Sequence, residues 1–337
     1  MQLAHRARKF PAASSRLLRN ALTSLGLVAL ALASGGAKAA GYPTDKITVI
    51  VAFAPGGIAD TLARLVAQGL TERLRQNVVV ENRGGASGNI AAAYVARANP
   101  DGYTLLATTT ALAVNETLFA DKQFSTRDFK AVAIAASSPE ALMTSPDNPA
   151  KDVPDFIKAM SGRTINLAIP GVGTVSHIAA EYFFKQLAKV PVQPIPYQGG
   201  APAINAAVAG QVDLLATTLG GGAAAQIAAG KLKGLGIAAV ERAAVAPNMP
   251  TYVEQGYPAF TAATWVGFFA PAKTDRQILQ TLNAAINDIL KSPAVAKKLA
   301  DMGFDPIVGS QQEADAMLTA EAAKWGDMVK ALGLSIK

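Results

Sequence analysis

The positions in this sequence best suited to chemistry are its glycine-rich loops, and the chemistry they suit is holding an anion. Ala54-Pro55-Gly56-Gly57, Arg83-Gly84-Gly85-Ala86-Ser87-Gly88 and Pro170-Gly171-Val172-Gly173-Thr174 each follow an apolar run and precede a helix-length segment. A helix N-terminus carries roughly half a positive charge and unpaired N–H donors, so two such loops facing each other bind an anion without any arginine. The residues expected to line that site are Gly56, Gly57, Ile58 and Ser87 from the first group, and Gly171, Val172, Gly173, Thr174 and Ser176 from the second. Thr108, Tyr197 and Thr217 follow by position as cleft walls, while Trp265 fits a core at least as well as a stacking wall. Asp60 either caps its helix or meets the ligand.

Enzymatic chemistry finds little support. Beyond residue 39 the chain keeps a single histidine, His177, and it has no cysteine, so a zinc site lacks ligands. Ser176 beside His177 in sequence is no triad, because a triad is assembled in space. The run Gly171 to Ser176 resembles a dinucleotide loop but lacks the third glycine, and the strand that follows, Val192 to Pro196, ends without an acidic residue for a ribose. No glycine-lysine phosphate loop occurs, and no cofactor or metal is expected.

The loops need a scaffold, and the apolar pattern supplies one. Ile47 to Phe53 is a nearly continuous apolar run, as expected of a strand buried on both faces, and Leu62, Leu65, Val66 and Leu70 follow at helical spacing. Strand, glycine loop and helix recur at Val78 to Val80, Tyr103 to Ala107 is a third strand ending in Thr108-Thr109-Thr110, and a second series follows at Ile165 to Ile169, Val192 to Pro196 and Val212 to Ala216. The alternation predicts α/β architecture with mostly parallel sheets. The proline-rich stretch Ser145 to Pro154 reads as a crossing between the two series. Ala262 to Pro271 is expected to be extended, with helices over Asp275 to Lys291, Pro293 to Met302 and Gln311 to Leu332 that return to the first series.

Charge and composition narrow the class further. The net charge of +7 suggests an anionic partner, yet six of the 31 basic residues lie before residue 40, where there is no acidic one. The remainder carries 25 basic against 24 acidic residues, which excludes a nucleic-acid stripe. That N-terminal stretch, with Arg6, Arg8, Lys9, Arg16 and Arg19 ahead of the apolar run Ala21 to Ala33 and Ala37-Lys38-Ala39, reads as a secretory signal peptide over residues 1–39. With no cysteine there is no lipid anchor, so the mature chain is expected free in the periplasm.

The loops and their flanks resemble one family, the receptors of tripartite tricarboxylate transporters, also called Bug-type solute-binding proteins. The resemblance rests on Phe53-Ala54-Pro55-Gly56-Gly57-Ile58-Ala59-Asp60, Val80 to Ile90, Pro100 to Leu106, Ser176-His177, Pro196 to Pro202, Gly210-Gln211-Val212-Asp213 and Phe268 to Pro271, in that order along the chain. It implies a two-lobed periplasmic-binding-protein (type II) fold with a ligand cleft between lobes, the first lobe being residues 40–140 plus 262–337 and the second 141–261. It also implies membrane permease partners, no catalysis, and a ligand carboxylate held through backbone N–H groups and waters of the Gly56-Gly57 and Gly171 to Ser176 loops; the chain is separately expected to be a monomer. Ala54, Ala59, Gln198 and Thr217 depart from the family's usual residues and leave fewer charges facing the cleft. A simple or aromatic carboxylate is therefore favoured over a tricarboxylate or an acidic amino acid, whose ammonium would need Asp60 or Asp213 as partner. A periplasmic sensor presenting the same ligand to a signalling partner remains the alternative.

Overall fold

Short apolar runs form the strands, and the glycine loops end them as the pattern requires. The fold comes from a computed structural model that describes residues 41–258 and 260–336, of which Pro43 onwards form one compact unit. The expected signal peptide lies outside the described residues. Strand β1 (Ile47–Val51) is almost wholly buried and pairs in parallel with β2 (Val78–Asn82) and β3 (Thr104–Thr109). Helix α1 (Ile58–Leu74) follows the first loop, α2 (Asn89–Ala96) the second, and α3 (Ala111–Leu118) continues from the end of β3.

The strand that organises the sheet is β4 (Phe129–Thr144), sixteen residues long and buried along nearly its whole length. Its residues 129–139 run antiparallel to β9 (Ala263–Pro271), and its last five residues, 140–144, pair instead with β7 (Leu214–Thr218) and β8 (Lys233–Ile237). The change of partner falls at Pro139–Glu140, where a proline, lacking an N–H, does least harm to a ladder. The proline-rich stretch 145–154 comes after this point, in the loop before α4 (Val153–Ala159) and its first two residues, so the change of sheet partner lies inside β4, ahead of that stretch. On the far side β5 (Ile165–Ile169) joins β7 and β6 (Val192–Pro196) in parallel, giving the order β2-β1-β3-β9-β4-β7-β5-β6. Helices α5 (Val175–Tyr182), α6 (Gly200–Val208) and α7 (Ala223–Ala228) follow the three loops of this half.

The C-terminal segment returns to the first half, since β9 also pairs with β3. It continues as α8 (Arg276–Leu290), capped by Asp275 on the N–H of Gln277, then α9 (Pro293–Asp301) and α10 (Gln311–Leu332). Helix α10 packs on α3, α5 and β4, spanning both halves. Trp265 of β9 and Trp325 of α10 itself are fully buried, and both indole N–H groups donate to Glu321 Oε2, also on α10, at 3.1 and 2.8 Å. Trp265 is thus core, with its single polar atom satisfied.

Candidate functional site

Strand register alone brings the two sets of glycine loops to one place. The carboxyl end of β3 pairs Thr109 with Val266, and the carboxyl end of β7 pairs Thr218 with Glu140, while Pro139 pairs with Ala263. Both parallel sets therefore point their carboxyl ends at the same crossover from opposite sides, the position where open α/β sheets bind ligands. Hydrogen bonds fix the approach. Thr110 Oγ1 accepts from Trp265 N–H at 2.8 Å and donates to the Ala263 carbonyl at 3.2 Å, while Leu219 N–H donates to the Pro139 carbonyl at 3.0 Å.

The first loop is held from beneath by Asp60. Its Oδ2 accepts from the Gly56 N–H at 2.9 Å and from Arg64 Nε at 3.1 Å, and its Oδ1 accepts from Asn82 Nδ2 at 2.8 Å. The Arg64 guanidinium holds the Asp60 carboxyl down to about 2, with the Gly56 and Asn82 bonds adding to it against the opposing effect of burial. Asn82 also donates to the Phe53 carbonyl at 3.0 Å, so one amide ties the end of β2 to the end of β1. Asp60 is 4 % exposed with both oxygens engaged, which makes it a brace of the loop. Above it Ala54 to Gly57 are exposed, and Gly57 begins α1 with no side-chain cap. The first-turn N–H groups, from Ile58 onward, have no helical acceptor.

The second loop is braced from its own helix. Thr174 Oγ1 donates to the Gly171 carbonyl at 2.8 Å and accepts from the His177 N–H at 3.2 Å, and the Gly173 N–H donates to His177 Nδ1 at 3.1 Å. The Val175 and Ser176 N–H groups are left on that first turn, and Val172 is exposed beside them. Gly173 has φ +77°, and a Cβ there would sit 2.8 Å from Leu118 Cδ2, so only glycine lets this loop lie against the end of α3. The same helix reaches the other group of loops, because Asn115 Nδ2 donates to the Ser87 carbonyl at 3.0 Å. Helix α3 thus joins Ser87 on one side to Gly173 on the other. Tyr197 is half-buried, and its N–H together with that of Gly199 bonds the Ile169 and Pro170 carbonyls, docking the third loop on the second. Thr108 and Thr217 are buried within their strands, at 2 % and 3 % exposure, one residue short of the strand ends.

Sequence reasoning missed Glu140. It sits at the change of partner in β4, 4 % exposed, its Oε2 accepting from Ser176 Oγ at 2.6 Å and its Oε1 from Thr264 Oγ1 at 2.8 Å. Apolar neighbours Ala179, Ala180, Tyr252 and Phe260 enclose it around a cavity of ≈ 10 Å³, room for about one water. That burial pushes the Glu140 carboxyl up to about 7 despite the two hydroxyl bonds pulling it down. A lone acid after a proline in the apolar run Val132 to Thr144 was the available signal. Asn82 and Asn115 were also missed as braces; their types are common in loops and nothing in their spacing marks them. The Ser176 hydroxyl is spent on Glu140 and His177 Nδ1 on Gly173, so the pair forms no nucleophile–base couple. Among the described residues no cluster of three or more His, Asp or Glu could hold a metal.

A mixed α/β sheet whose two parallel sets meet at their carboxyl ends, each followed by glycine loops and helix N-termini, is the plan of a periplasmic binding protein. The family model for the tripartite tricarboxylate transporter family receptor matches residues 62–334, and the chain belongs to that family, which is one of solute-binding proteins and not of enzymes. BugT of Bordetella pertussis is 31% identical over 305 residues, covering 88% of this chain and 92% of BugT. Among solved structures, R. palustris Rpa4515 with adipate is 31% identical with a TM-score of 0.77, covering 88% of this chain and 100% of that one. MatC from Rhodopseudomonas palustris with bound malate is 33% identical with a TM-score of 0.73, covering 86% and 100%.

Proposed function

We propose that this chain is a periplasmic receptor that closes two lobes, residues 40–140 plus 262–337 and 141–261, around a small organic carboxylate and delivers it to a tripartite tricarboxylate-type permease. The observation that carries the reading is the pair of first turns, at Ile58 in α1 and at Val175–Ser176 in α5, each following the loop at the carboxyl end of a parallel strand, β1 in one half and β5 in the other. Gly56, Gly57, Ile58, Gly171 to Thr174 and Ser176 form the carboxylate cradle, with Ser87 and Tyr197 beside it and Thr108 and Thr217 in the strands behind. A carboxylate needs only those donors. An amino acid would also need an open anion for its ammonium, and both candidates are engaged: Asp60 as described, and Asp213 through an Oδ2 that accepts from the Asn166 N–H at 2.9 Å. The dicarboxylates bound by Rpa4515 and MatC support the same ligand class. Secretion follows from the leader ending near Ala39.

Thermal melting after unfolding and refolding, to strip carried ligand, tests this against adipate, malate, benzoate, citrate, acidic amino acids and neutral sugars. One carboxylate class is expected to raise the melting temperature, since ligand at a hundred times its dissociation constant adds about 2.7 kcal/mol. A shift with sugars or amino acids and none with any carboxylate would overturn the reading.

A further inference from the structure

Ser176 faces two ways. Its hydroxyl donates to Glu140 Oε2 at 2.6 Å, while its own N–H stands on the first turn of α5. A carboxylate on that turn therefore lies against a residue already bonded to a buried acid. No described cation is bonded to Glu140; its partners are the hydroxyls of Ser176 and Thr264, and its surroundings are apolar. Two anions so placed in a dry site raise each other's energy, and the relief is to neutralise the one that is buried.

We propose that Glu140 takes up a proton from solvent when a carboxylate ligand settles on the first turn of α5, so that ligand capture and proton uptake are coupled. This rests on the carboxylate reading above. The protonated acid donates to the hydroxyl of Ser176 or Thr264, which rotates to accept, so neither bond is lost. Binding energies are reciprocal: the ligand favours the neutral acid, and the neutral acid favours the ligand by the same factor.

The other titratable groups around Glu140 are few. The segment after β8 contributes Tyr252 and, further off, Tyr257, both held above their ordinary range chiefly by burial. Helix α5 contributes His177 and Glu181, the latter paired with Lys185 at 3.1 Å, and α10 contributes Glu321, bonded to the Trp265 indole and paired with Lys324. Strand β7 presents Ala216, and Ala238 follows directly on the end of β8. His177 is tied to its own loop, its Nδ1 accepting from the Gly173 N–H at 3.1 Å.

The test is calorimetric titration of the purified protein with adipate, malate and benzoate at pH 7.5, in MOPS and in Tris, whose different ionisation heats count the protons exchanged. A ligand-induced rise of about one unit in the Glu140 pKa, as expected for charges about 10 Å apart at an effective dielectric near 20, gives uptake of about half a proton per ligand. The same coupling raises affinity by up to about tenfold between pH 8.5 and pH 6. In Glu140→Gln the uptake disappears and affinity no longer changes with pH. Uptake that persists in Glu140→Gln places the proton on another group and overturns the proposal, as does ligand binding to the native protein with no proton exchanged. Absence of binding by all three acids removes the carboxylate reading and the coupling with it. Should the variant not fold, carboxyl ¹³C resonances of labelled glutamate in the native protein carry the test. One is expected to titrate near neutrality and to move upward with ligand, and none doing so refutes the idea.

Discussion

Replacing Glu140 with glutamine should make the protein's stability respond to pH in the opposite sense from most carboxylate deletions. The Glu140 carboxyl titrates near 4.5 in the unfolded chain and at about 7 in the fold, so between those values the folded state binds the extra proton. Stability contributed by the neutral acid is therefore complete below pH 4.5 and is lost as pH rises towards 7, beyond which the penalty is constant. A shift of that size is about 3 kcal/mol in full, at 1.36 kcal/mol per unit, and most of it falls between pH 5 and pH 8. Glutamine reproduces the neutral acid, one oxygen accepting and one N–H donating, but cannot ionise. Urea denaturation of both proteins at pH 5 and pH 8 reads the difference. On passing from pH 5 to pH 8 the variant should gain about 2–3 kcal/mol relative to the native protein, or about 4 °C in melting temperature for a chain of this size. A gap between the two proteins that stays constant within about 0.5 kcal/mol would show that Glu140 does not titrate in this window and would refute the reasoning.

Two further substitutions probe the loops. Asp60→Ala removes the acceptor for the Gly56 N–H and strands Asn82, so it should cost about 2 kcal/mol in urea denaturation and weaken carboxylate binding at least tenfold in calorimetry. Because Arg64 holds that carboxyl to about 2, the native loop keeps its brace above about pH 4 and loses it only as pH falls towards 2. Gly173→Ala places a methyl group 2.8 Å from Leu118 Cδ2 at a φ of +77°, and should lower stability by about 1–2 kcal/mol and slow or weaken ligand capture in stopped-flow fluorescence. A Gly173→Ala protein with native stability would contradict the tight approach of this loop to α3.

Legibility in the sequence followed the length and character of each signal. The runs at Ile47, Ile165 and Leu214 were readable because β-branched and apolar residues continue until a glycine loop stops them, and α8 and α10 because their apolar residues recur at helical spacing. Strand β4 was not readable, because its many alanines have no strand preference and a proline interrupts it at residue 139. Its true partner change was hidden by the louder proline-rich stretch after it. The loops around the candidate site were visible through their glycines, but what braces them was not. Asn82 and Asn115 act through bonds spanning 22, 26 and 28 residues, and no local pattern reports such distances, while Asp60, whose bond to Gly56 spans four, was legible only as a helix cap or ligand contact. Thr108 and Thr217 look like loop-edge hydroxyls in sequence, yet the strands run one residue beyond each and keep them buried.

A crystal structure with the carboxylate that gives the largest melting shift tests the central claim most directly. The account predicts one carboxylate group seated on the first-turn N–H groups of both α1, at Ile58, and α5, at Val175 and Ser176, with Asp60 still turned inward to Gly56. A ligand held by a lysine or arginine side chain, or seated away from the crossover of β4 and β9, would contradict it.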